Sequence, residues 1–348
     1  MAQAKKTKAG TWTILVYSHT ETIDGKEKRI YERFTADKKS EVVRMAEDFK
    51  ANRKGQTTSL TVREALKQYM EMKKNMLSPA TLCTYQSIYN ERFPLIRNIP
   101  INKLTNKDIQ AEINAETMRY AYATIKTTYA VLSSILSVFC PDFQMKVNMK
   151  AKKSDEVSIP TAEEIKILIN HCSSDRLALA IKIASSMGLR RGEICALKIS
   201  DIDFKKQTIN IHSTMVKTPE RAHVIKEPKT SSSKRILPIP QFLLPDLRKM
   251  ANQKNTNDFL IGLKPDNLTA HFALLVKKSE INPITFHSLR HYYASVMLCN
   301  NVPTKYAMKR MGHTTDLMLK MVYQHTMEEK ENEVTKILDN YLSNVFMQ

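Results

Sequence analysis

Hydrophobic periodicity changes three times along this chain, and those changes limit its fold more than any other feature. In residues 10–54, TWTILVYS alternates and is rich in β-branched residues, the pattern of a strand, and KRIYERF repeats it after the turn signal Asp24-Gly25. Val42, Val43, Met45, Ala46 and Phe49 then fall at helical spacing over residues 39–50. Residues 59–147 are helical in pattern almost throughout: Thr61 with Glu64 forms a capping-box start, Ser78-Pro79 opens a second helix, Asn106 is placed to cap a third, and residues 115–139 carry a long apolar stripe. Residues 148–158, NMKAKKSDEVS, are polar and charged between two periodic regions and read as a linker. Beyond it, Pro160-Thr161 with Glu164 starts a helix, RLALAIKIASSM is apolar on most sides and is expected to be buried, and strand signals follow at IDF, TINIHS, HVIKEP and RILPIP before a helical tail. The expected class is α+β and multidomain: a small sheet with one helix, a helical bundle, then a mainly helical domain with β-hairpins.

Charge narrows the partners. Lys and Arg number 54 against 35 Asp and Glu, a formal charge of +19, so the surface attracts polyanions at long range, nucleic acid before a membrane surface. No run of roughly 18 apolar residues occurs, and the first residues have no signal-peptide pattern, so a cytoplasmic location is expected. The five cysteines (Cys83, Cys140, Cys172, Cys195, Cys299) are scattered without a CxxC pair, which predicts reduced, packed thiols and no zinc site. None of the seven glycines builds a GxGxxG or GxxxxGK[ST] loop, so no ATP or other cofactor is implied.

Five short features lie in the last region: GLRRGEICALKISDID from Gly188, Lys229 in EPKTSSSKRILP, HSLRHYYAS from His287, MGHTT from Met311, and VYQHT from Val322. Each alone has an ordinary explanation, because a lone Arg at a helix start usually makes an ion pair and a late Tyr usually packs. Together they share one chemistry. A phosphodiester resists attack because the incoming nucleophile meets an anion and builds more negative charge, so a site that breaks it needs cations aimed at the non-bridging oxygens. Guanidinium groups match those oxygens bidentately and stay charged, which suits Arg190 and Arg290. Arg190 precedes a short helix at residues 191–197, whose first N–H groups could add phosphate contacts. His287 and Arg290, three apart on an expected helix, would point to one side. Lys229, at the end of a strand before the polar turn TSSS, could protonate the leaving 5′ oxygen. Tyr323 is a phenol of pKa about 10, a nucleophile that can also leave in the reverse step.

In order, type and spacing these residues resemble the tyrosine recombinase, or phage integrase, family. Its pattern is an Arg in a GLR-E-L block, a hairpin Lys, an H-x-x-R pair, a Gly-His and a Tyr often followed two residues later by His. Here those positions look like Arg190 with Glu193, Lys229, His287 with Arg290, His313 after Gly312, and Tyr323 with His325. The resemblance implies that Arg190 and Arg290 bind the scissile phosphate, Lys229 is the acid, His287 assists proton transfer, His313 bonds the phosphate, and Tyr323 forms a 3′-phosphotyrosine. Glu193 resembles the acidic residue that holds the site in place, although a carboxylate at a helix start would also favour the helix dipole.

It further implies three domains with a DNA breaking-rejoining fold in the last. Residues 1–56 resemble an AP2-like, three-stranded arm-binding domain, residues 57–150 a SAM-like core-binding domain, and residues 151–348 a catalytic domain with a C-terminal docking tail. Trp12, Tyr17 and Arg33 either touch DNA or pack the first sheet; packing suits Trp12 better. The implied partners are double-stranded DNA at core and arm sites, a homo-tetramer on that DNA, and an excisionase or host DNA-bending factors, all in the bacterial cytoplasm or nucleoid. Integration and excision of a phage or other mobile element would be the task. Two departures from the pattern are mild: Met311 stands where Leu is usual, and Asn300-Asn301 where Gly is usual, Met being adaptable and Asn tolerant of a left-handed backbone. Tyr292-Tyr293 reads as helix packing. The alternatives are a chromosome-dimer recombinase, a type IB topoisomerase, and a basic repressor or architectural protein without catalysis.

Overall fold

The computed structural model describes residues 4–7, 10–23, 26–54, 60–149, 158–227 and 234–312. Lys229, His313 and Tyr323, the 24–25 turn, most of the linker and the tail lie outside the described residues. The chain divides into two compact units, Met1–Leu77 with Tyr85–Lys152 and Ser78–Thr84 with Lys153–Gln348.

In the first unit, β1 (Lys5–Lys6), β2 (Trp12–Ile23) and β3 (Lys26–Ala36) form an antiparallel sheet in that order, followed by α1 (Lys39–Lys54). Strand alternation sorts the two faces of this sheet. Ile14 and Val16 are buried with Val42 and Ala46 of α1, and Trp12 packs partly against this core with the Lys39 ammonium 5.4 Å from its ring. Leu15 pairs with Arg33 and Tyr17 with Tyr31, so these four share the opposite face, where the two tyrosine rings meet edge to face at 5.8 Å.

A second core in this unit gathers residues of α2 (Val62–Lys73), α3 (Pro79–Glu91), α4 (Asn106–Thr117) and α5 (Tyr122–Phe139). The Thr61–Glu64 capping box forms as expected: Glu64 N–H donates to Thr61 Oγ1 at 3.2 Å and Thr61 N–H to Glu64 Oε2 at 2.9 Å. Asn106 is not a cap. Thr105 takes that role in a reciprocal box with Asp108, and Asn106 instead accepts the Lys146 N–H at 2.7 Å and donates to the Gln144 carbonyl at 3.0 Å. The stripe over residues 115–139 is also not one helix. The chain turns between Thr117 and Tyr122 without a glycine or proline, and α5 packs back on α4. Glu112 and Glu116 sit buried on α4, accepting backbone N–H bonds from Leu95 (2.7 Å), Ile96 (3.0 Å) and Phe93 (3.4 Å).

The second unit contains α6 (Ala162–His171), α7 (Asp175–Met187), α8 (Arg191–Ala196), β4 (Ile202–Asp203), β5 (Thr208–Ile211), β6 (Thr214–Lys217), β7 (His223–Lys226), β8 (Arg235–Pro238), α9 (Leu244–Ala251), α10 (Pro265–Lys278), α11 (Ser288–Cys299) and α12 (Thr304–Met311). Strands β4, β5 and β8 form one antiparallel sheet, and β6 and β7 a separate hairpin. Strand β6, too short for its alternation to stand out, had no sequence signal. Helix α7 is the buried helix that its composition predicts, with Ala180, Ile181, Ile183, Ala184 and Met187 inaccessible. Among the described residues no helix is long and apolar enough to cross a membrane.

Candidate active site

Helix α7 ends at Gly188, whose φ of +66° is the left-handed conformation that glycine adopts without a Cβ clash. A Cβ there would lie 2.4 Å from Tyr293 Cδ1, so the absent side chain is also what lets α11 approach. The chain then runs extended through buried Leu189 to Arg190, which caps α8. Glu193, one turn later, accepts the Arg190 backbone N–H at 2.9 Å and the Arg190 Nη1 at 3.0 Å. Its carboxylate therefore caps the helix and holds the arginine at once. That contact uses the Arg190 N–H, which is not left to a phosphate. The Arg190 side chain stays 37% exposed, and its Nη2 donates to the Gly312 carbonyl at 2.9 Å.

Arg290 lies in the first turn of α11 and is only 1% exposed. Its guanidinium donates to the Gly188 carbonyl and, at 2.6 Å, to that of Met311. Burial first, then the like charge of Arg190, pushes its pKa down to about 9, with Glu193 acting against them, so it remains a cation at neutral pH. His287 is the residue before α11 rather than part of the helix. Its side chain reaches solvent, yet desolvation, followed by the charges of His291, Arg290, Arg190 and Arg191, lowers its pKa to about 4. The imidazole is thus neutral at pH 7 and able to donate from one nitrogen and accept at the other. His291 meets it edge on at 4.8 Å between ring centres.

Two of the expected cations, their carboxylate and a neutral histidine therefore share one place. The like charge of Arg190 beside buried Arg290 is relieved by an anion, and Arg190, 37% exposed, offers it a way in. A "Phage integrase family" model matches residues 159–330, and a "Phage integrase, N-terminal SAM-like domain" model matches residues 61–116. The chain belongs to the phage integrase family.

Within it, similarity extends over most of the chain. A XerC-like tyrosine recombinase of Caldanaerobacter subterraneus is 25% identical over 308 residues, covering 76% of this chain and 79% of that protein. A probable prophage ps2 integrase of Lactococcus lactis is 27% identical over 321 residues, covering 81% and 84%. In fold the chain is similar to the Tn1549 transposon integrase in complex with transposon right end DNA, with a TM-score of 0.64 at 20% identity over 78% of this chain and 99% of that one. It is similar too to a lambda integrase tetramer bound to a Holliday junction, with a TM-score of 0.60 at 19% identity over 92% and 94%.

One member of the cluster went unread in the sequence of this integrase. Arg235, at the start of β8, is 4% exposed and donates Nη1 and Nη2 to the two oxygens of Glu193 at 3.1 and 2.9 Å. Its signal was present in RILP, where Arg235 and Leu237 share the buried parity of the strand, a place where an arginine requires a partner. With Arg235 bound as well as Arg190, burial works to raise the Glu193 pKa, but the bonds and charge of Arg235, then those of Arg190, hold it below the usual carboxylate range.

Proposed function

We propose that this integrase exchanges DNA strands at specific sites, cleaving a phosphodiester by attack of the Tyr323 phenolic oxygen on phosphorus. In that step the bond to the 5′ oxygen breaks, Lys229 supplies the proton the leaving oxygen needs, and the strand remains attached as a 3′-phosphotyrosine. Arg190 and Arg290 neutralise the non-bridging oxygens, His313 adds a hydrogen bond, and neutral His287 relays a proton. The ester keeps the energy of the broken bond, so a free 5′ hydroxyl can reverse the step without ATP. The observation that carries the reading is Arg190 and Arg290 converging beside Glu193 and a neutral His287, a cluster suited to a phosphate.

The reading includes three domains at residues 1–56, 57–150 and 151–348. The first would set its sheet against an arm site, and its face carrying Leu15, Tyr17, Tyr31 and Arg33, turned from α1, supports that role. Assembly as a tetramer on two duplexes, help from an excisionase or DNA-bending factors, and integration or excision of a mobile element complete it. The test is incubation with nicked suicide duplexes from the ends of its own element. A denaturant-resistant protein–DNA adduct is expected from the natural chain and none from Tyr323→Phe, which still binds DNA. Tight binding without any adduct would favour the non-catalytic alternative.

A further inference from the structure

We propose that Arg235 is a positioning residue for strand cleavage, fixing the last turn of α12, from which the chain continues to His313 and Tyr323, to the buried carboxylate of Glu193. The inference rests on the reading of this site as a strand-cleavage centre.

Three arginines from separate parts of the second unit cap three successive carbonyls. Arg235 Nε donates to the Arg310 carbonyl at 2.8 Å, Arg290 Nη2 to Met311 at 2.6 Å, and Arg190 Nη2 to Gly312 at 2.9 Å. These carbonyls belong to the C-terminal end of α12 and its cap, where the helix dipole is negative. Gly312 follows in the left-handed conformation, with φ +63°, and ends the helix there. The exit of the chain towards His313 is thus pinned from β8, from α11 and from the α7–α8 junction together.

The three arginines are not equivalent. Arg190 and Arg290 are the groups assigned to the phosphate, so a turn held by them alone would be held by groups that must also follow the DNA. Arg290 is at least as buried as Arg235, but its Nη atoms meet neutral carbonyls, whereas the Arg235 fork is closed on the Glu193 carboxylate. It acts as the fixed member of the set. Arg235 also shares the Glu193 charge: without it the whole carboxylate would fall to Arg190, drawing that guanidinium inward and away from the phosphate. Both effects require the planar fork, because one group must donate along Nε to Arg310 while its two Nη atoms meet both Glu193 oxygens. Lysine keeps the charge but cannot make those three directed bonds.

The experiment compares the natural chain, Arg235→Lys and Tyr323→Phe on a suicide duplex at saturating protein, with duplex affinity and thermal melting measured on the same preparations. Arg235→Lys keeps the charge against Glu193 but loses the directed bonds, so it is expected to melt somewhat lower yet stay folded and bind DNA as the natural chain does, while its single-turnover rate of adduct formation falls on the order of 100-fold, the scale of a small misplacement of reacting groups. A natural rate in Arg235→Lys, or a loss that saturating DNA restores, would overturn the inference while leaving the cleavage reading intact. Absence of a Tyr323-dependent adduct from the natural chain would remove both. If Arg235→Lys does not fold, Arg235→Met combined with Glu193→Gln leaves no unpaired buried carboxylate, and it should cleave more slowly than Glu193→Gln alone; equal rates would overturn the inference.

Discussion

Glu193→Gln changes one oxygen to an amide nitrogen at a position 4% exposed, and the consequence can be worked from its partners. The carboxylate accepts four bonds: from Arg190 N–H, from Arg190 Nη1, and from Arg235 Nη1 and Nη2. Glutamine can keep those that reach its oxygen, but its NH2 group would face arginine donors, and Arg235 would lose its buried counter-charge. Removing one partner of a buried ion pair costs about 3–5 kcal/mol. For a unit of this size each kcal/mol lowers Tm by about 2–4 °C, so a loss on the order of 10 °C is expected at neutral pH. Calorimetric melting of the full chain measures it. The folded-state pKa of Glu193 is depressed, so its stabilisation is complete above the unfolded value of about 4.3 and is lost as pH falls through the lower folded value. The gap between the two proteins should therefore close below about pH 4. A shift under about 2 °C at pH 7 would mean that the two arginines find other partners and that Glu193 does not hold them.

Two further outcomes follow from the same geometry. Gly188→Ala places a methyl 2.4 Å from Tyr293 Cδ1 at a positive φ, so it should cost at least about 1–2 kcal/mol from the backbone alone, read by urea unfolding. It should also slow adduct formation, since the Gly188 carbonyl receives Arg290; natural stability would refute the packing account. His287 should titrate near pH 4 in the DNA-free protein, followed by the NMR shift of its ring proton, and a midpoint near 6.5 would refute its desolvation among cations. Because that folded value lies below the unfolded one, the contribution of His287 to stability is present above about pH 6.5 and is lost as pH falls towards 4.

Much of this molecule is written in short stretches of sequence. Thr61 with Glu64 and Thr161 with Glu164 cap their helices because the partners are three residues apart and reach each other without any tertiary contact. Asn301 takes a φ of +54° and Met311 is fully buried, as their side chains allow. Alternation in β2 sends Ile14 and Val16 to α1, and Trp12 packs with them. The choice of Thr105 over Asn106 as a cap was open locally, since both can accept the N–H; it was decided by the segment at residues 144–146, which takes the Asn106 side chain.

Arg190, Glu193, His287 and Arg290 stood out in the sequence as one set, through their order and their match to a family pattern, and the structure does bring them together. What each one bonds to was not legible there. Glu193 meets Arg235 across 42 residues and Arg190 meets the Gly312 carbonyl across 122, and such distances are closed only when α7, α8, β8 and α11 pack around one core and α12 packs with α11 in a second cluster. An arginine in a sequence states its charge; burial and the carbonyls that packing brings to it decide whether that charge faces DNA or holds the fold.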